Sequence, residues 1–102
     1  MAGRMSARTV RASRELGEHL TNWRKLQQLT AEQVAERAGI SRSTLSKLEH
    51  GDPGVSTGIL IEVLRALGQV DSLLGAVDPL RSDVGRLRAG QALPQRVRGG
   101  RS

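Results

Sequence analysis

An all-α fold of five compact helices is predicted by this sequence, and three observations predict it. Apolar residues recur at helical spacing along most of the chain, as in Leu60, Val63, Leu64 and Leu67. The stretches so marked open on Ser, Thr or Asp, and most of them close on glycine. The chain also has no Phe or Tyr and a single Trp, so the core must be aliphatic, which suits interlocking helices better than a β-sandwich.

Taken in order, residues 1–12 are polar and Arg-rich and are expected to form a disordered basic arm. Ser13 opens a first helix to about Gln28, with a stripe of Leu16, Leu20, Trp23 and Leu26 running on to Leu29. Thr30 with Gln33 forms a capping box for a short second helix that turns Val34, Ala35 and Ala38 inward and ends at Gly39. Ser41 caps a third helix, with Leu45 and Leu48 inward and Gly51 as its stop, and "GDPG" is a turn cluster. Ser56 caps a fourth, closed by Gly68. Asp71 caps a fifth, with Leu73, Leu74 and Val77. Residues 13–78 are thus expected to form one domain.

The segment 79–102 reads as a dimerisation and basic tail region. Asp78-Pro79 can start one more short helix. Leu73, Val77, Leu80, Val84 and Leu87 are spaced like the a and d positions of a coiled coil, interrupted by Gly75, Pro79 and Gly85, and mark a dimer seam. From Gly90 on, little fixed structure is expected, except that "ALPQRV" can add a strand if it pairs with another chain.

The net charge of +6 is unevenly placed. Arg4, Arg8, Arg11, Arg14, Arg81, Arg86, Arg88, Arg96, Arg98 and Arg101 lie in the two flanks, whereas residues 15–79 carry more acids than bases. Basic flanks suit a polyanion such as nucleic acid, and they also suit plain solubilising tails. Cysteine is absent, which excludes disulfides and thiolate metal sites and fits a reducing cytoplasm. No signal peptide and no membrane span is expected.

The second and third helices are joined by about three residues. A corner that tight needs a small residue, Ala35, and a left-handed turn at Gly39, which is the layout of a helix-turn-helix. An ordinary corner between two helices accounts for that much. It does not account for the outer face of the third helix, where Arg42, Ser43, Ser46 and Lys47 all carry donors and no acid is mixed in. A recognition helix offers such a face to base edges in the major groove.

Residues 16–77 resemble the Cro/repressor, or XRE-like, helix-turn-helix family, on "LTAEQVAERAGISRSTLSKLEHG": a threonine cap, Ala35, Gly39, an aliphatic at Leu45, and Leu-Glu-x-Gly at 48–51. The resemblance implies a lambda-repressor-like five-helix domain that binds double-stranded DNA as a homodimer at a two-fold site. By position it places Arg42, Ser43 and Lys47 at base edges and Thr44 at a phosphate. Ser41 and Ala31 fall at helix starts that meet the backbone. The family often has Gln where this chain has Ala31, so that contact is either lost or replaced by backbone N–H groups at the helix start. It also implies a structural ion pair between Arg24 and Glu49. "ALPQRVR" is similar to the tail of HipB-type antitoxin repressors, which implies a kinase-like toxin as a second partner.

An enzyme is not expected. His19 and His50 stand alone, no metal-spaced cluster occurs, no Ser-His-acid arrangement can be supported, and there is no phosphate-cradling glycine loop. No cofactor, metal or small-molecule ligand is expected. The sequence therefore points to a DNA-binding transcriptional regulator, with an antitoxin or a protein-interaction module as alternatives.

Overall fold

A hydroxyl begins each of the first four helices. The computed structural model describes residues 4–91, and the chain runs α1 (Ala7–Leu26), α2 (Ala31–Ala38), α3 (Arg42–Glu49), α4 (Thr57–Ala66), α5 (Val70–Val77), a 3-10 turn (Pro79–Arg81) and α6 (Asp83–Gln91). Ser6, Thr30, Ser41 and Ser56 each accept a hydrogen bond from the backbone N–H three residues on. Such a cap satisfies one of the open donors of a helix start and contributes about 1 kcal/mol. The Thr30–Gln33 capping box is complete, since Gln33 Oε1 also accepts from the Thr30 N–H at 2.8 Å. No strand occurs among the described residues, and the segment 92–98, with its expected strand, lies outside them.

The number of helices and the start of the first one need correction. Among the described residues there are six α-helices and a 3-10 turn, not five helices. The first helix is capped by Ser6, not Ser13, so residues 7–12 are helical and not a disordered arm. The sequence of this stretch, ARTVRA, contains no breaker, and α1 extends through it from its cap.

The described residues divide into two compact units, 4–69 and 70–91. In the first, α2 packs against α3 and α4, and α3 packs against α1. Their shared core is Leu20, Val34, Ala35, Ala38, Leu45, Leu48, Val63, Leu64 and Leu67, and Val34, Leu45 and Val63 are fully buried. Each of the larger ones contributes about 1.5–3 kcal/mol by leaving water. The expected stripe on α1 is only partly used: Leu20 is buried, whereas Leu16, Trp23 and Leu26 are exposed.

The face that α1 does bury runs through Gly17, Leu20 and the partly covered Thr21 and Arg24. Gly17 allows a close approach. A Cβ there would stand 2.7 Å from the carbonyl oxygen of Leu48 and closer still to that of Glu49. The end of α3 thus rests directly on the α1 backbone. Gly51, with φ +87°, seals the same contact from the other side, its missing Cβ facing Arg14 Cα at 2.6 Å. No apolar periodicity reports such a glycine, but one placed mid-helix, where it costs about 1 kcal/mol against alanine, is a signal of close packing.

In the second unit, α5 starts at Val70, so Asp71 lies in its first turn and does not cap it. Asp78 caps the 3-10 turn, its Oδ1 accepting from the Leu80 N–H at 2.9 Å with Pro79 in first place. Ser82 Oγ accepts from the Gly85 N–H at the start of α6, at 2.9 Å, and the 3-10 turn packs on α6.

Candidate nucleic-acid interface

The interface is built on α3. Ser41 fixes its start: the hydroxyl accepts from the Thr44 N–H at 3.0 Å and donates to Thr44 Oγ1 at 2.9 Å. Leu45 and Leu48 anchor one side in the core. At about 100° per residue, Arg42, Ser46, Ser43 and Lys47 then share about 140° of the opposite arc. All four are exposed. Neither Arg42 nor Lys47 forms an ion pair among the described residues, while Arg65 pairs with Glu62, Arg81 with Asp78 and Arg86 with Asp83. The two charges on α3 are left open to an outside acceptor.

Beside this face, Thr44 is half-buried and its hydroxyl oxygen is occupied by Ser41, which leaves its proton free to donate. A cleft of about 360 Å³ continues from Thr44 and Lys47 to Asp52, Gly54, Val55, Ser56 and Ile59. Asp52 folds into its own loop, its Oδ1 accepting from the Gly54 N–H at 2.8 Å. Sequence reasoning missed this neighbour of α3, because the start of α4 reads only as a cap. Ala31 is the first residue of α2 and partly covered. The Thr30 hydroxyl takes the Gln33 N–H, and the N–H groups of the first turn ahead of it have no acceptor within the helix.

The structure brings Arg24 and Glu49 together. Arg24 Nε donates to Glu49 Oε2 at 2.8 Å, Nη2 donates to Oε1 at 3.2 Å, and Nη1 donates to the Leu29 carbonyl at 3.2 Å. The two side chains are only 15% and 10% exposed. This paired fork ties α1 to the last residue of α3 and to the turn before α2. The recognition face is thereby fixed against the core from behind.

The seam residues do not line one helix. Leu73 is half-buried on α5, Val77 ends it, Leu80 is on the 3-10 turn, and Val84 and Leu87 are on α6. Extended backbone at Asp78 and Ser82 breaks the run, so the 4-3-4-3 spacing is not a continuous heptad face. Val77, Leu80, Val84 and Leu87 are nevertheless 55–71% exposed. Arg8, Arg11 and Arg14 are exposed on the first two turns of α1, and no ion pair engages them among the described residues.

Among the described residues, no group of three or more His, Asp or Glu is placed to hold a metal, and no helix is long and apolar enough to cross a membrane. No curated protein and no solved structure gives a significant match to the chain. The model of one family, described as a helix-turn-helix domain, matches residues 15–83, which takes in the whole α2–turn–α3 corner and the face it carries. With that corner built as described, the chain belongs to the helix-turn-helix family of DNA-binding domains.

Proposed function

We propose that this chain is a sequence-specific transcriptional regulator, a repressor that occupies an operator as a homodimer with α3 in the major groove. The observation that carries the reading is the outer face of α3: four exposed donor side chains, two of them charged and neither of those in an ion pair among the described residues. Arg42 and Lys47 suit guanine O6 and N7, and Ser43 and Ser46 suit several bases. Thr44 and the open backbone N–H groups at the helix starts of Ser41 and Ala31 suit phosphates, which position the helix without reading sequence. The likeness of residues 29–51 to the XRE-like pattern supports the same assignment.

In this reading two copies place their α3 helices about 34–36 Å apart along the duplex. The exposed apolar residues Val77, Leu80, Val84 and Leu87, with Leu73, supply the dimer contact. The arginines of the flanks add phosphate contacts that raise affinity and its salt dependence. The protein works in the cytoplasm, at the nucleoid, without cofactor, small-molecule ligand or catalysis. A second reading, a HipB-type antitoxin that also holds a kinase-like toxin, rests on "ALPQRVR" at 92–98.

Fluorescence anisotropy on DNA from the protein's own upstream region, at two salt concentrations and against random DNA, tests the main reading. Wild type is expected to prefer its own region by about 10³-fold or more, and Arg42→Ala/Lys47→Ala to lose that preference. Equal binding of both proteins to both DNAs would mean that the arginine flanks bind any polyanion and that α3 reads nothing.

A further inference from the structure

We infer that His50 sets the hydrogen-bonding sense of Ser46, so that Ser46 meets its partner first as a donor and favours a base edge that offers an acceptor. The inference rests on the proposal that α3 faces DNA, and it goes further by naming what one side chain on that face can accept. His50 is the capping residue that follows the end of α3. Its Nδ1 lies 2.8 Å from the carbonyl oxygen of Ser46 and 3.3 Å from Ser46 Oγ. A carbonyl oxygen only accepts, so Nδ1 must carry the proton and donate. The same nitrogen then has no lone pair for the Ser46 hydroxyl. Ser46 Oγ can only be the second acceptor of that shared N–H, and its own proton points elsewhere. No other hydrogen bond of that hydroxyl is made within the protein among the described residues, and Ser46 is exposed.

The partner it suits is therefore an acceptor. In the major groove, guanine N7 and O6, adenine N7 and thymine O4 qualify, whereas cytosine presents only its amino donor. A phosphate oxygen shares the same chemistry. His50 touches no base in this account. It is a positioning residue, and its effect is read through Ser46. Without the imidazole, the hydroxyl is free to turn back and donate to the carbonyl four residues earlier, as serines in helices do.

Two measurements test this. The first is ¹⁵N NMR of the imidazole in the full chain above the histidine titration, with His19→Gln to leave one histidine. The expected neutral tautomer is Nδ1–H, and the Nε2–H tautomer overturns the inference. The second is selection of bound sites from a random DNA pool by wild type, Ser46→Ala, His50→Leu and the double variant. Wild type is expected to disfavour cytosine at one position of each half-site. Ser46→Ala, His50→Leu and the double variant should each relax that bias to the same extent, roughly fivefold, with preferences elsewhere in the half-site unchanged. A uniform loss of affinity shared by the three variants, with no change at any position, supports the donor role and puts the acceptor on a phosphate. A His50→Leu profile and affinity equal to wild type, or cytosine preferred at the position that depends on Ser46, overturns it. A wild type that selects no sequence overturns the DNA-reading proposal itself, and the tautomer then still decides the hydrogen bond.

Discussion

Residues 4–69 and 70–91 use the same kinds of apolar residue to different ends. In the first unit the large aliphatics of α2, α3 and α4 are mostly buried, and the helices are closed by capped starts and left-handed ends. In the second, Leu74, Val77, Leu80, Val84 and Leu87 are all more than half exposed, and Ala89 is its one buried apolar residue among those described. A saturated core holds a binding face still. An unsaturated apolar surface is a surface with something left to cover. The first unit therefore answers to stability experiments, and the second to association experiments.

The largest effect expected in that comparison comes from the ion pair behind α3. Glu49→Gln leaves the guanidinium of Arg24 desolvated against a neutral amide. Breaking one side of a fully buried pair costs about 3–5 kcal/mol; with the two side chains still 15% and 10% exposed the loss is expected near the lower end, and urea unfolding measures it. A loss under about 1 kcal/mol would show that the pair adds little to holding α1 on α3. Gly17→Ala comes next. The added methyl meets two carbonyl groups of backbone, not the movable end of a side chain, so α1 and α3 must part. Overpacking of this kind costs about 1–3 kcal/mol, and it should exceed the small gain in helix propensity that alanine brings. A more stable Gly17→Ala would mean that the two helices are not in contact there.

These two sites also show what the sequence made legible. The capping box, the glycine after α2 and the inward Leu45 and Leu48 follow from local chemistry, because each depends on residues within four positions. The donor face of α3 was legible for the same reason. The start of α1 was not, because Ser13 and Ser6 are equally good caps and nothing between them breaks a helix. The role of Gly17 was not, because it depends on the carbonyls of Leu48 and Glu49, some thirty residues away. The interruption of the seam was legible in Gly75, Pro79 and Gly85, but its place was not, because spacing carries across Asp78 and Ser82 while the backbone does not.

A smaller effect concerns the ends of the helices. Four residues in the first unit have positive φ: Gln28 at 60°, Gly39 at 71°, Gly51 at 87° and Gly68 at 74°. Each follows a helix. Three are glycine, which takes this conformation freely, and one is not. A side chain in the left-handed region costs about 1–2 kcal/mol, part of which glycine gives back through the greater freedom it has when unfolded. Gln28→Gly is expected to raise stability by about 0.5 kcal/mol, read as a higher urea midpoint at unchanged m-value. A lower midpoint would assign the Gln28 side chain a contact that outweighs its strain.

The smallest effect on folding is expected in the second unit, and it is informative for being small. Val84 and Leu87 on α6 are 62% and 65% exposed, so replacing both by serine removes little that folding had buried. Substitutions at such surface positions usually stay within about 0.5 kcal/mol each, against about 2–5 kcal/mol for truncating a core leucine. If these side chains form the dimer contact proposed above, however, the same double variant will lose it. Analytical ultracentrifugation should then show wild type as a dimer and Val84→Ser/Leu87→Ser as a monomer, at unfolding midpoints that coincide once protein concentration is low enough to dissociate both. A variant that remains dimeric would move the contact away from α6. A variant that loses several kcal/mol as a monomer would mean that these residues are core after all, and the contrast between the two units would fail with it.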